Sequence, residues 1–417
     1  MHSVSSNPTL LGLLQGARGR VLWFCWIGWV FDFHDLILFS FCKRAVAAEL
    51  QIDATSLAWI EGLSLFASAI GALVFGRIAD VIGRRRAMTA SILVYSLGAL
   101  CTGLADGVAA LALARALAGL GIGGEWGIGH AVIGETFDGR DRDRAHALLQ
   151  SGGPLGMALA AGTGLFLAPV IGWRLVFMLS ALPALLAFFA RYAMPGADAP
   201  PVRRAESGRA SALLSPVHRR ATIVLFAILF LHMTGFWCVY AEMPNALMRD
   251  LLATPAEAGA YQLTVNAAHL VADIAFGCLA ARYSRGRVFT VMCVGFAATQ
   301  LAMAFGWESL TRDLLVFTLV AAVMGLGVGT WSCFGALFDE LYPATLRATA
   351  AALLYSLSRG AQLVAKPCSQ ALAEWHGSMQ PTLWIGATCA LGSAALYRCL
   401  PAATWHATKS HDAAAHP

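Results

Sequence analysis

Trp29-Val-Phe-Asp-Phe-His-Asp-Leu36 is the stretch on which the reading of this chain turns. It sets Asp32, His34 and Asp35 in the middle of an apolar run from Val21 to Cys42. A run of that length and hydropathy reads as a membrane span. An ionised carboxylate at mid-bilayer costs roughly 2.5–3.5 kcal/mol on insertion scales, so a chain keeps such groups where they face a polar pathway and not lipid.

The rest of the chain agrees with a membrane setting. Of 417 residues, 58% are hydrophobic and 13% charged, about half the charge of an ordinary soluble chain. Twelve candidate spans can be placed, at 21–42, 57–77, 88–107, 109–132, 146–170, 174–194, 220–241, 258–281, 288–306, 314–338, 349–372 and 382–400. Lys43, Arg44, Arg174, Arg249 and Arg312 fall on one side of these spans. The other side holds far more Lys and Arg, including Arg84–Arg86 and Arg203, Arg204 and Arg209. The positive-inside rule then puts both termini in the cytoplasm. The net charge of +5 comes from these loops and is no nucleic-acid signal. No cleavable signal peptide is expected, because the first apolar run is long and carries two aspartates. The ten cysteines form no CxxC pair and read as small core residues, with no metal or cofactor implied. Gly121-Ile-Gly-Gly lies inside a span with no strand before it, and no hydrolase, metalloprotease or phosphate-loop motif is present, so no enzyme is expected.

The Pro-, Ser- and Arg-containing segment 195–219 divides the spans six and six. The expected organisation is a cytoplasmic N-terminus (1–20), a first bundle (21–194), a cytoplasmic linker (195–219), a second bundle (220–400) and a disordered cytoplasmic tail (401–417). The halves echo each other. Gly119-x-Gly121-x-Gly123 in span 4 recurs as Gly325-x-Gly327-x-Gly329 in span 10. Glu135 and Arg142 recur as Glu340 and Arg347. Gly76-Arg-Ile-Ala-Asp-Val-Ile-Gly-Arg-Arg-Arg86 recurs as the weaker Gly277–Arg287. An all-α membrane protein of two parallel six-helix pseudo-repeats around a midplane site is a transporter architecture.

At this point the residues resemble the major facilitator superfamily. Gly76, Asp80, Gly83, Arg84, Arg85 and Arg86 match its signature loop between spans 2 and 3. Across residues 20–195 the likeness narrows. Phe31-Asp32-Phe33-His34-Asp35, Arg115-xxx-Gly119-x-Gly121-x-Gly123-Gly124-Glu125, Gln150-Ser-Gly and Gly172-Trp-Arg174 are similar to bacterial organic-acid/proton symporters, among them sialic-acid, lactate and aromatic-acid carriers. The resemblance implies the major facilitator fold in the inner membrane, with spans 3, 6, 9 and 12 peripheral. It also implies a gate latch at Asp80, with Glu135/Arg142 and Glu340/Arg347 as companion latches. A small organic anion and a proton are the expected cargo, the bilayer is the medium, and the chain is expected to be a monomer.

The charge pattern can be read without the family. Asp32 and Asp35 share a helix face, and two close acids in a low dielectric suit proton pick-up. The bland alternative is that one pairs with Arg115 and the other caps a water pocket. Arg115 either bridges to Asp35 or meets substrate. Glu125 reads first as part of the glycine-rich packing of span 4. Gln262, Asn266, His269 and Asp273 make one polar stripe on span 8, either a hydrogen-bond ladder or a cavity wall in which His269 and Asp273 relay a proton. His232 faces the same cavity or is a satisfied core histidine, and Trp237 and Tyr240 read as interfacial belt residues. Arg359, Gln362 and Lys366 form the best anion site of span 11, unless Asp273 or the span 1 aspartates neutralise them. Pro367 is expected to kink that span. The leading expectation is a proton-coupled symporter of a small carboxylate. A proton-driven exporter of a drug or metabolite and a non-transporting solute sensor are the alternatives.

Overall fold

The computed structural model describes residues 13–137, 139–183, 185, 210–310 and 313–401. The expected tail, most of the linker and the first twelve residues lie outside these. Every regular element among the described residues is helical. Hydrocarbon offers no partner for a backbone amide, so an apolar chain satisfies its amides within each span. Nine of the described helices are long and apolar enough to cross a membrane. Of the other three expected spans, span 6 is described only in its first part. Span 11 is two shorter helices, Ala344–Gly360 and Gln362–His376, and span 12, Gln380–Tyr397, opens on Gln-Pro-Thr.

Span ends are marked by local chemistry. Asp53 caps span 2 (Ala54–Ile82) by accepting the Ser56 N–H, and the bonds from Ser56 hold its carboxyl below the usual carboxylate range. Gly83 alone separates span 2 from span 3 (Arg84–Leu104). Its φ of 93° lies where only glycine sits without strain, which accounts for the glycine of the signature loop.

Three expectations need correcting. Span 1 runs from Gly16 to Leu50, so Lys43 and Arg44 belong to the helix and not to a loop, and Lys43 is buried. Span 7 continues through a π turn, Phe236–Tyr240, to Asp250. That extension carries Trp237 and Tyr240 inward from the interface, where both are buried, and the Tyr240 hydroxyl donates to Asn266 Oδ1 at 2.7 Å. Span 11, expected as one helix, is interrupted at Ala361, just after Gly360, and Pro367 lies inside the second of the two helices.

The repeat seen in the sequence is carried into packing. In span 4 (Val108–Thr136) Gly119 and Gly123 abut the Ser64 and Ser68 carbonyls of span 2, while Gly121 abuts Tyr95 of span 3. In span 10 Gly325 and Gly329 abut Val265 and Ala272 of span 8, while Gly327 abuts Phe296 of span 9. Alternate glycines therefore serve two different neighbours in both copies, which a single small-residue face would not explain. A β-carbon at Gly123 has no room against Ser68. Gly123→Ala is expected to remove folded protein from detergent extracts, while Gly127→Ala, with open space around it, is tolerated. Size-exclusion chromatography of the tagged chain reads the difference. Spans 5 and 11 are likewise irregular at matching places, a π turn at Gly162–Leu167 and the break at Ala361.

By contact, the chain forms two compact units. One is Met1–Ala205 with Ala241–Gln262 and Arg359–Ala371; the other is Glu206–Tyr240, Leu263–Ser358 and Leu372–Pro417. The outward faces of spans 3, 9 and 12 carry exposed Leu93, Leu97, Val291, Val294 and Leu391, as a lipid-facing surface requires.

Candidate functional site

The first unit holds a buried ionic network. Asp32 and Asp35 sit one turn apart on span 1 but have different partners. Asp35 accepts from Arg115 Nη1 at 2.9 Å, with both side chains almost wholly buried. The Arg115 guanidinium also lies over the rings of Phe39 (5.0 Å) and Phe177 (5.6 Å), while its Nε has no hydrogen-bond partner among the described residues. Asp32 instead lies within hydrogen-bonding reach of Glu125. Gly28, one turn before Asp32, makes this approach possible, because the Glu125 carboxyl occupies the place a β-carbon would take. None of the four oxygens of this carboxyl pair accepts a hydrogen bond from a donor among the described residues. Arg359, at the start of the segment Arg359–Ala371, acts electrostatically on Asp32 and is buried, as is Gln362.

Lys366 lies elsewhere. Its ammonium is held by Glu61 Oε2 at 2.6 Å and Glu242 Oε1 at 2.8 Å, and Lys43 bridges the same two acids. Ser40 also donates to Glu61, and Asn245 to the Ser40 carbonyl. Signs alternate around this quartet, which is how buried charges offset the several kcal/mol that each loses on leaving water. Lys366 thus has two acids around it that the sequence reading did not assign. Glu61 was legible as the lone acid within the expected range of span 2, 57–77. Glu242 and Lys43 fall one residue beyond the expected span ends, at 241 and 42. The acids of this network are Asp32, Asp35, Glu61, Glu125 and Glu242, and its bases are Lys43, Arg115, Arg359 and Lys366. One acid is in excess, and the contact between Asp32 and Glu125 is where two acids meet without an intervening cation.

At the other end of this unit, Arg84 Nη1 pairs with Asp80 at 3.1 Å and Arg84 Nη2 with Glu135 at 3.3 Å. In the second unit Glu340 pairs with Arg285. Arg84 and Arg285 open spans 3 and 9, and Glu135 and Glu340 close spans 4 and 10, so the two ties are repeats of one another. Glu340 therefore reaches Arg285 across helices. The side chain of Arg142 lies outside the described residues. Gly76 faces open space, and Arg85 is half-buried.

The second unit places Asn266, His269 and Asp273 on one face of span 8 (Pro255–Arg282). His269 Nε2 stands 3.5 Å from Asp273, whose carboxylate accepts from the Ser332 hydroxyl at 2.9 Å. Both ring nitrogens of His232 are engaged, by Ser393 (3.1 Å) and Thr330 (3.0 Å), and Phe289, Trp331 and Phe334 surround the ring. The ring is half-buried and also lines a cavity together with Phe236, Phe296 and Trp331, so it has features of both expected roles.

Multiple apolar spans, a repeated half and acids buried within the spans define a multi-pass membrane transporter fold. The family model described as Major Facilitator Superfamily matches residues 25–230 and 225–415, and the chain belongs to that superfamily. It is 28% identical over 355 residues to the "Probable 4-methylmuconolactone transporter" of Cupriavidus pinatubonensis, covering 82% of this chain and 80% of that one. It is 24% identical to the sialic acid transporter NanX of Escherichia coli, covering 86% and 88%. The partially occluded, inward-open xylose transporter XylE of E. coli has the same fold, with a TM-score of 0.75 over 92% of this chain and 97% of that one, at 14% identity.

Proposed function

We propose that the protein is a proton-coupled symporter that carries a small organic anion, a carboxylate, across the bacterial cytoplasmic membrane by alternating access, with both termini inside. The observation that carries this reading is the surplus acid at Asp32–Glu125 beside Arg359. A contact between two carboxyls holds when one of them bears a proton. With that proton present, Asp32 draws less on Arg359, and the guanidinium can bind a carboxylate from the substrate, with Gln362, one turn on, as a neutral hydrogen-bonding group beside it. When the proton leaves, ionised Asp32 competes for Arg359 and expels the substrate carboxylate. Proton and anion therefore travel together, and they dissociate on the side of higher pH. The Lys43–Glu61–Glu242–Lys366 quartet is the contact that must part and re-form in each cycle. The names of the relatives, which refer to 4-methylmuconolactone and sialic acid, support a small organic substrate class.

The test is uptake of labelled carboxylates into vesicles holding the purified protein. A panel of sialic acid, lactate, dicarboxylates and aromatic acids is presented with and without an inside-alkaline gradient. At least one acid should accumulate only when the gradient is imposed. Uptake indifferent to the gradient would end the coupling claim.

A further inference from the structure

His130 and His146 meet at the end of the first unit that carries the Arg84–Glu135 tie, and neither takes part in the ionic network above. His130 lies on span 4, near its end at Thr136. His146 lies on the helix Gly139–Gln150, which leads into span 5, and both rings are half-buried. Their Nδ1 atoms stand 3.0 Å apart, with the ring planes within 10° of one another and the ring centres 5.0 Å apart. The nitrogen–nitrogen gap plus one ring radius on either side accounts for nearly all of that separation. The rings therefore meet edge to edge, with one hydrogen shared between them. On the far side of the His130 ring, Nε2 meets Gln150 Oε1 at 3.3 Å. Gln150 follows His146 by one helical turn, so one face of the helix holds both edges of the same imidazole.

These two bonds set the order in which the pair takes protons. The Gln150 carbonyl accepts, so His130 Nε2 carries a hydrogen, and Nδ1 of the neutral ring accepts from His146 Nδ1–H. A further proton goes to His146 Nε2 and leaves both bonds as they are. The next goes to His130 Nδ1, which sets N–H against N–H and places two cations 5.0 Å apart. Among the described groups, the one charge acting on His130 is that of His146. Glu135, farther along span 4, is held by Arg84, and Asp141 and Arg144, on the helix of His146, pair at 3.6 Å. The side chains of Arg140, Arg142 and Asp143 lie outside the described residues. Spans 1 and 3 bring Cys25 and Met88, both uncharged, up to Gly129 beside it.

We propose that His130 and His146 form a second proton site, a clasp that holds the helix Gly139–Gln150 to span 4 with no more than one added proton and opens when a second one binds. The clasp does not depend on Asp32–Glu125 being the proton carrier. With the termini inside, it is cytoplasmic pH that the pair reads. Opening loosens the connection between spans 4 and 5 next to the Arg84–Glu135 tie, and in a carrier that brings protons in this is a brake against an acidified cytoplasm.

The experiment is nitrogen NMR of the purified full-length protein carrying isotope-labelled histidine, with His146→Asn identifying the signals. A nitrogen–nitrogen coupling across the shared hydrogen should be present at neutral pH, survive the first protonation and vanish at the second. Two cations at this separation, in an effective dielectric constant of about 20, put the two steps roughly two pH units apart. His146→Asn should leave His130 with a single step. The coupling itself needs no variant. In vesicles under a fixed pH difference, uptake should fall as the internal pH is taken down through the second step, and His146→Asn should lose that fall. Absence of the coupling, or two histidines that titrate independently at the ordinary value of about 6.5, overturns the proposal. If the coupling appears and is lost in acid while uptake ignores the gradient altogether, the symport reading fails and the clasp stands.

Discussion

Glu125→Gln brings substrate in vesicles only to its external concentration, however steep the imposed pH gradient, while exchange of labelled for unlabelled substrate at equal pH persists. The amide copies the shape of a protonated carboxyl and can never release a proton. The Asp32 contact therefore survives and the coupling does not. Counterflow exchange measured beside gradient-driven accumulation separates the two. Accumulation retained by the variant would move the proton site elsewhere. Asp35→Asn is expected to behave differently although it looks like the same change in sequence. Asp35 holds a guanidinium with no aqueous exposure, and removing one partner of such a pair costs about 3–5 kcal/mol. Its signature is loss of folded protein, seen before any transport assay.

The second large effect concerns Lys366. Lys366→Met leaves Glu61 and Glu242 with Lys43 alone, two buried acids against one base. The cost expected for an uncompensated buried charge is again about 3–5 kcal/mol, enough to deplete the folded population of a marginally stable chain. Adding Glu242→Gln restores one acid to one base. The double variant Lys366→Met/Glu242→Gln should therefore be more stable than either single one, by thermal unfolding in detergent. Strict additivity of the two changes would show that the quartet is not a unit.

The fold was legible because its signals are periodic and repeated. Apolar runs, the basic bias of alternate loops, and two copies of a Gly-x-Gly-x-Gly run all point the same way. The repeat also extends further than its residues suggested, since Arg84–Glu135 and Arg285–Glu340 are one bond made twice. The site was legible in its members and not in its pairings. Spacing put Asp32 and Asp35 on one face, yet partner choice depends on which neighbour approaches. Here a missing β-carbon at Gly28 admits Glu125 to one aspartate, while Arg115 takes the other. Glu242 and Lys43 escaped for a simpler reason. A hydropathy boundary drawn at the last apolar residue discards ions just beyond it, although those ions can fold back into the packed ends of the spans.

The π turn at Gly162–Leu167 has a consequence for how span 5 can vary. A π turn is an α-helix with one surplus residue absorbed in a local widening. The helical faces before and after it are thus set independently, as in a thread with one stitch of slack. His34 grips that widening through Thr163. Length changes of a single residue there can be taken up in the slack, whereas the same change one turn to either side would rotate an entire face of the span by about 100°.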